Sequence, residues 1–393
     1  MPISVKMDSL LERSSWIRRM FEEGARLKAE HGDDKVFDFS IGNPNLEPPP
    51  EFDTILRELL ADPTPGKHGY MANAGYAETR DAVAAETAKE QGVPVTGANV
   101  VMTAGAGAAL NVIFKAILDP GDEVVVPRPY FVEYGTYADN HGGVLVSVET
   151  TPEFDLDLDR IEGALTAKTR AVLINSPNNP TGRVYSGEAI RALGKLLERK
   201  WLETGRVIFL ISDEPYRHII YDGVTVAPVM SAYVNTIVAT SYSKDLSLAG
   251  ERIGYLAINP EIPDKRLMPA LITANRILGF VNAPALMQRA VARLQGVTVD
   301  LTPYRENRDL LYGCLVEAGF TVPRPDGAFY LFPKSPIEDD VEFTRELAAQ
   351  LVLVVPGSGF GGPGHVRLSY CCSRATAEGA LPVFRAAGAK YFG

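Results

Sequence analysis

Short apolar runs alternate with amphipathic segments through the middle of the chain. The runs are rich in Val and Ile, as buried strands are, whereas the segments between them repeat apolar residues at helical spacing. The pattern predicts strands at 100–103, 124–126, 144–148, 171–174, 207–212, 237–240 and 253–258, and helices at 76–91, 106–118, 131–140 and 187–200. Such alternation predicts an α/β fold: a mostly parallel sheet with helices on both faces, which binds ligands at the carboxyl ends of its strands.

The two ends of the chain differ from this middle part. The predicted elements there are helices at 14–28 and 302–318 and short strands at 36–40, 328–332, 351–355 and 365–370. This order is typical of an α+β domain, and we expect the N-terminal segment to pack with the C-terminal part. The three prolines at 48–50 predict an extended stretch. The sequence therefore predicts a large domain, residues 45–285, and a small domain formed by residues 1–44 and 286–393.

Composition and charge narrow the class of protein. The chain has 393 residues and a formal net charge of −10, which argues against non-specific binding of nucleic acid. No apolar run approaches the roughly 18 residues of a membrane span, and the N-terminus does not read as a signal peptide. The cysteines are odd in number, and Cys371 and Cys372 are adjacent, so a disulfide framework is not expected. We expect a cytoplasmic protein without nucleic-acid or membrane partners.

A lysine follows the predicted strand 237–240, in the segment Ser241-Tyr242-Ser243-Lys244. A lysine at a strand's carboxyl end can reach the ligand crevice, and an amine with a depressed pKa forms Schiff bases. Arg252, eight residues on, would help to depress that pKa. Taken alone, a lysine in a polar loop is more often simply exposed. The segment also fits Ser-x-x-Lys, but the Lys-Thr-Gly strand that accompanies this motif in serine acyl-enzymes is absent.

Other strand ends carry candidate residues as well. Asp213 can pair with a protonated ring nitrogen, and Tyr216 can bond a cofactor oxygen, although Asp-Glu-Pro also suits a plain turn. Asn179, in Asn-Pro-Thr-Gly, is open to the same two interpretations. The small residues at 105–107 begin a predicted helix, where backbone N–H groups can bind a phosphate. Phe131 can stack on a flat ring or belong to the core.

Together these segments resemble the class I/II aminotransferase family, fold-type I enzymes that use pyridoxal 5′-phosphate (PLP). The resemblance extends from about residue 14 to residue 374. Its most specific part is Ser-x-Ser-Lys ending at Lys244, followed by Arg-x-Gly from Arg252. Asn-Pro-Thr-Gly from Asn179 and Asp-x-x-Tyr from Asp213 also match, and Asn179, Asp213 and Lys244 are spaced 34 and 31 residues apart. The resemblance implies a fold-type I structure and amino transfer between an L-amino acid and a 2-oxo acid.

The resemblance also implies how the cofactor would be held. Lys244 would form the Schiff base and later move the proton, and Asp213 would keep the ring nitrogen protonated. Asn179 and Tyr216 would bond the phenolic oxygen, with Phe131 stacked on the ring. The phosphate would be held by Gly105, Ala106, Gly107, Ser241, Ser243 and Arg252. The family often has a hydroxyl or a lysine at the position of Gly107 and Trp or Tyr at that of Phe131, so this pocket would depend more on backbone.

The resemblance also implies roles for four further residues, which would contact the partner subunit or the substrate. Tyr70 would reach the phosphate of a partner subunit, which implies a homodimer. Gly42 and Arg367, with Asn179, would hold the substrate α-carboxylate, for which an arginine fork is suited. Arg276 lies near the position of an arginine that grips the distal carboxylate in aspartate aminotransferases, and it fits a plain surface or interface arginine equally well.

Two alternatives use the same residues differently. The same scaffold hosts PLP-dependent C–S β-lyases, and fold does not separate them from aminotransferases. The second alternative is a non-catalytic PLP-binding protein. The presence of Lys244, Asp213 and Arg367, the residues that catalysis would need, argues against it.

Overall fold

The structure, a computed structural model, describes residues 3–12 and 16–393. The helices in these ranges are α1 Val5–Glu12, α2 Trp16–His31, α3 Pro50–Ala61, α4 Ala77–Gln91, α5 Ala106–Ile117, α6 Glu133–Asp139, α7 Leu158–Ala164, α8 Gly187–Thr204, α9 Leu267–Ile277, α10 Ala285–Ala292, α11 Thr302–Glu317, α12 Asp340–Ala348 and α13 Arg374–Phe392. The strands are β1 Phe37–Asp38, β2 Val100–Thr103, β3 Glu123–Arg128, β4 Val144–Glu149, β5 Thr169–Asn175, β6 Phe209–Asp213, β7 Thr236–Ser241, β8 Gly254–Ile258, β9 Tyr330–Leu331, β10 Val352–Leu353, β11 Val355–Pro356 and β12 Val366–Ser369. None of the described helices is long and apolar enough to cross a membrane.

The central sheet has seven strands in the order β2-β8-β7-β6-β5-β3-β4. Five neighbouring strands, in the order β4-β3-β5-β6-β7, pair in parallel, and β8 runs antiparallel to both of its neighbours, β7 and β2. Helices cover both faces, so that consecutive residues such as Leu210 and Ile211 are fully buried in two different apolar clusters. The prediction of a mostly parallel α/β sheet is confirmed.

Three parallel strands end side by side at the edge where the site forms. Asn175, Asp213 and Ser241 are the last residues of β5, β6 and β7. The strand register places Asn175 beside Asp213, and the Asn175 side chain donates to the Asp213 carbonyl oxygen at 2.8 Å. The polar segments that follow these strands therefore meet at one edge of the sheet.

The proline stretch was predicted wrongly at its last residue. Pro50 is the first residue of α3, whereas Pro49 precedes the helix with ψ of 141°. A proline has no N–H to lose at the first helical position, and its fixed φ suits a helix start. The helix therefore begins inside the stretch that was predicted to be extended.

Both ends of the chain form a second packed region. β1 pairs in parallel with β10, and β9, β12 and β11 form an antiparallel sheet. Its core includes Phe39, Tyr304, Leu311, Phe329 and Phe343. The N-terminal segment thus contacts the C-terminal part directly, and it brings Ser40 and Gly42 to the same edge of the large sheet. The domain boundaries at residues 45 and 285 stay a prediction.

Candidate active site

A cavity of about 430 Å³ lies at the carboxyl ends of β5, β6 and β7. The predicted residues that line it are Gly42, Ala106, Gly107, Phe131, Asn179, Asp213, Tyr216, Ser241, Ser243, Lys244, Arg252 and Arg367. Gly105 precedes α5 as its N-cap. The cavity therefore collects residues that are far apart in the sequence and that come from both packed regions.

Lys244 reaches the cavity from the loop after β7. Its Nζ donates to the carbonyl oxygen of Gly42 at 2.8 Å. Burial lowers the pKa of Lys244 to about 8, and the charges of Arg367 and Arg252 act in the same direction, against an opposing effect of Cys371. An amine that is partly neutral near neutral pH can act as a nucleophile and as a base.

Asp213 is buried at the end of β6. Its Oδ2 accepts a hydrogen bond from the Tyr134 hydroxyl at 2.6 Å, whereas its Oδ1 is buried without a partner among the described residues. Burial raises the pKa of Asp213 to about 7; the bond from Tyr134 lowers it and the charge of Glu214 raises it. An unpaired buried oxygen costs free energy, so this carboxyl group suits a ligand that brings a cationic N–H.

Tyr216 is held in place by Tyr330, a residue of the second packed region. Its hydroxyl shares a hydrogen bond of 2.8 Å with the hydroxyl of Tyr330 on β9. Residue 42 must be glycine here, because a Cβ at Gly42 would collide with that Tyr330 hydroxyl. Tyr330 therefore fixes both Tyr216 and the chain segment that accepts the hydrogen bond from Lys244.

Arg367 is a buried cation that lines the cavity. Its guanidinium lies between the rings of Tyr330 and Phe360, 4.7 and 4.6 Å from their centroids. Nη1 donates to Oδ1 of Asn179 at 3.2 Å and Nη2 to the carbonyl oxygen of Ser40 at 2.6 Å. Burial lowers the pKa of Arg367, and no carboxylate contributes against that effect. A buried guanidinium without an anionic partner is suited to bind a carboxylate.

The start of α5 and Arg252 form a site for an anion. Gly105 turns the chain from β2 into α5 with φ of 89°, and a Cβ there would lie 2.9 Å from Nη2 of Arg252. Arg252 itself has φ of 53° and donates to the carbonyl oxygens of Ala249 and Ala104 at 2.9 and 3.3 Å. The first N–H groups of a helix have no intrahelical partners, and the helix dipole favours negative charge there.

Besides Gly105, which lies next to the lining residue Ala106, two predicted residues lie outside the cavity lining. Tyr70 is 91% exposed, and Arg276 is exposed near the end of α9. Neither lines the cavity of its own chain. Their predicted roles require a second subunit and stay predictions.

Three tyrosines belong to the site although the sequence reasoning did not identify them. Tyr134 bonds Asp213, Tyr330 bonds Tyr216, and the hydroxyl of Tyr137 lies 3.0 Å from the Cβ position of Gly107. Tyr134 and Tyr137 are three residues apart on α6, which places both on one side of that helix, and Phe131 precedes Tyr134 by the same interval just before the helix begins. That spacing is a usable signal, whereas nothing local marks Tyr330.

These residues fit PLP. Asp213 offers a free carboxylate oxygen to a ring N–H, Phe131 offers an aromatic face, and Lys244 is a buried amine with a lowered pKa. The N-terminus of α5 and Arg252 suit the phosphate. Each chemical group of the cofactor thus has a matching group in the one cavity.

The fold and this site define a class of enzyme, and comparison with known proteins agrees. The chain belongs to the family described as aminotransferase class I and II, whose sequence pattern matches residues 34–384. It is a PLP-dependent aminotransferase with the fold-type I structure, so the predicted class, fold, cofactor and reaction are confirmed.

Individual relatives cover nearly the whole chain. An aspartate/prephenate aminotransferase of Thermus thermophilus is 37% identical over 353 residues, which are 88% of this chain and 89% of that protein. An aminotransferase structure from Eubacterium rectale superposes with a TM-score of 0.96 at 43% identity, covering 100% of this chain and 99% of the other. The Thermus thermophilus aspartate aminotransferase with maleate gives 0.84 at 32% identity, covering 95% and 96%.

Proposed function

We propose that this aminotransferase takes the amino group from aspartate and gives it to a 2-oxo acid, with Lys244 as its cofactor lysine. The observation that carries the proposal is one cavity that holds a buried amine, a carboxylate with a free oxygen and a guanidinium that forms no ion pair with the described residues. The relatives support a pocket for dicarboxylates, because aspartate, prephenate and maleate in their names all carry two carboxylates, and aspartate is the one of the three with an amino group to give.

The side chains of the cavity have different roles in the proposed reaction. PLP, when bound, supplies an electrophilic carbon for the amino group and a ring that withdraws electrons. Oδ1 of Asp213 would accept from the ring nitrogen and stabilise a proton on it, and Tyr134 keeps Oδ2 in place. Nζ of Lys244, with a pKa lowered to about 8, would hold the cofactor and would act as the base that accepts and releases the proton of the substrate Cα.

Arg367 selects and orients the substrate. Its planar fork is fixed by two aromatic rings and two hydrogen bonds, so its free edge can meet an α-carboxylate in one orientation. Arg367 bonds the carbonyl oxygen of Ser40, two residues before Gly42, whose carbonyl oxygen accepts from Nζ of Lys244, so a carboxylate on Arg367 would bring the substrate Cα close to this amine.

Arg367→Lys should weaken every amino acid substrate to a similar degree. Lysine keeps the charge but not the fork or the stacking, so kcat/KM should fall by about 10- to 100-fold for aspartate, alanine and tyrosine alike. Steady-state kinetics with the three donors measures this, and an unchanged absorbance of bound PLP serves as the control. A loss confined to one donor would show instead that Arg367 recognises the side chain.

We further propose a homodimer in which Tyr70 reaches the partner's cofactor phosphate. Three asparagine side chains, Asn73, Asn275 and Asn282, donate at 2.9–3.1 Å to backbone carbonyls between the segment after Tyr70 and the segment at the end of α9. Tyr70 and Arg276 are therefore carried by one connected unit. An aromatic ring as exposed as Tyr70 is typical of an interface.

We also propose a cytoplasmic location, which the three free thiols support.

Arg276 would bind the distal carboxylate of a substrate in the partner's cavity. Its side chain is exposed and forms no ion pair with the residues that the structure describes, so it is available to a partner. We expect aspartate to exceed alanine and tyrosine in kcat/KM, and Arg276→Ala to reduce this preference by on the order of 100-fold. Transamination of alanine should continue in this variant.

The matched control for this experiment is Arg266→Ala. Arg266 is an exposed arginine at the other end of α9, paired with Asp264 at 2.6 Å. Its removal should leave the donor preference unchanged. Equal kcat/KM for aspartate and alanine in the unaltered enzyme would contradict the dicarboxylate proposal and leave the Lys244 assignment standing.

A further inference from the structure

A network of charged side chains lies behind the cavity, next to the two residues that the chemistry uses most. Glu214 directly follows Asp213, and Asp245 directly follows Lys244. Both side chains point away from the cavity and into a network with Glu90, Arg217 and His218. None of these five residues lines the active-site cavity.

His218 connects two carboxylates in this network. Its Nδ1 lies 3.0 Å from Oδ2 of Asp245, and its Nε2 lies 2.6 Å from Oε1 of Glu90. A neutral imidazole has one N–H and one acceptor, whereas an imidazolium donates from both nitrogens, so two carboxylate partners require the charged form. Burial works against that charge, but the hydrogen bonds and charges of Asp245 and Glu90 outweigh it and raise the pKa of His218 to about 10.

The charge balance also favours the imidazolium. Glu90 from α4, Glu214 from the turn after β6 and Asp245 from the loop after β7 bring three carboxylates, and Arg217 is the one permanent cation among the five residues. Glu214 is further bound by the Gln91 side chain at 3.1 Å. His218 supplies the second positive charge, and it is the most exposed member, which lets it exchange protons with solvent.

Asp245 needs such an anchor because the segment that carries Lys244 is neither helix nor strand. Its backbone carbonyl accepts from the N–H of Val299 at 2.8 Å, and its Oδ1 accepts from the N–H of Leu246 at 3.0 Å. His218 binds the remaining oxygen, Oδ2. Through Glu90 this bond ties the lysine loop to α4, whose last residue, Gln91, also holds the turn that follows Asp213.

We propose that His218 is a positioning residue for the chemistry: by bridging Asp245 to Glu90 it fixes the backbone of Lys244 relative to Asp213. This proposal rests on the assignment of Lys244 as the cofactor lysine. His218 touches neither substrate nor cofactor, and it acts through the ion pairs behind the site. Loss of its charge releases Asp245 and leaves an additional net negative charge beside Lys244.

The test uses His218→Gln, with His218→Arg as the variant that restores charge. An added negative charge near Lys244 favours its protonated form, so the pH midpoint at which lysine-bound PLP changes its absorbance should rise by about one pH unit in His218→Gln. His218→Arg should return the midpoint toward that of the unaltered enzyme. His141→Gln, which changes a partly buried histidine bonded to Asn111, is the control and should shift nothing.

A second readout uses the cofactor-free protein. A folded-state pKa of about 10 against an unperturbed 6.5 means that His218 adds stability that is complete below pH 6.5 and is lost as the pH rises toward 10. The melting temperature difference between the unaltered protein and His218→Gln should therefore shrink over this interval. If His218→Gln does not fold, Asp245→Asn takes its place: it removes a negative charge beside Lys244, so it should lower the absorbance midpoint.

An unchanged midpoint in His218→Gln, or in Asp245→Asn where that variant is used, would overturn the proposal. Failure of the underlying assignment gives a different result, because the unaltered protein would then show no absorbance band of PLP bound to Lys244 at all.

Discussion

Replacing Lys244 with alanine is expected to reduce turnover by on the order of 10⁴-fold or more, since the variant loses both the amine that binds the cofactor and the base that moves the proton. PLP should still bind, because the α5 N-terminus, Arg252 and Asp213 remain. Its absorbance should be that of the free aldehyde, without the band of the lysine-bound form. Stopped assays of product formation and an absorbance spectrum measure the two effects.

Lys334→Ala provides the comparison for this variant. Lys334 is exposed and lies outside the cavity lining, so its removal should change neither the spectrum nor the turnover. Substantial turnover in Lys244→Ala, or borohydride labelling of another lysine in the unaltered enzyme, would show that the cofactor lysine has been misassigned.

Asp213→Asn is expected to lower kcat by about 10³-fold while KM changes little, because the charge of Asp213 acts on the ring only as the reaction proceeds. The amide can still accept the hydrogen bond from Tyr134, which keeps the side chain in place. What it loses is the ability to stabilise a proton on the ring nitrogen. The cost corresponds to several kcal/mol of barrier.

Asp213→Glu separates charge from geometry at the same position. It retains the carboxylate but moves it by one methylene, so it should recover part of the lost kcat. Pre-steady-state measurement of the amino-transfer step distinguishes the variants. A kcat near normal in Asp213→Asn would exclude the electronic role.

The sequence was most informative where function depends on strand ends. Asp213 and Lys244 follow apolar runs that form fully paired central strands, and the carboxyl ends of parallel strands meet whatever the connections between them. Local patterns were therefore enough to place both residues in one cavity. Gly105 was identifiable for a similar reason, since small residues between a strand and a helix are a local signal.

Contacts between distant segments were beyond the reach of such patterns. Tyr330 and Tyr216 share a hydrogen bond across 114 residues of sequence, and His218 and Glu90 across 128. Neither pair corresponds to a periodic pattern in the sequence, because each contact depends on how the two packed regions and the surface helices pack together. Arg276 raises the same difficulty between subunits, since its predicted ligand would lie in a partner.

The measurement that tests the enzyme assignment most directly is a half-reaction with aspartate in the absence of any 2-oxo acid. We expect the absorbance band of lysine-bound PLP to disappear as about one 2-oxo acid is released for each active site, and the band to return when a different 2-oxo acid is added. Lys244→Ala should show neither change. Release of ammonia from aspartate or from a sulfur-containing donor, with the band retained through many turnovers, would contradict amino transfer and indicate a lyase.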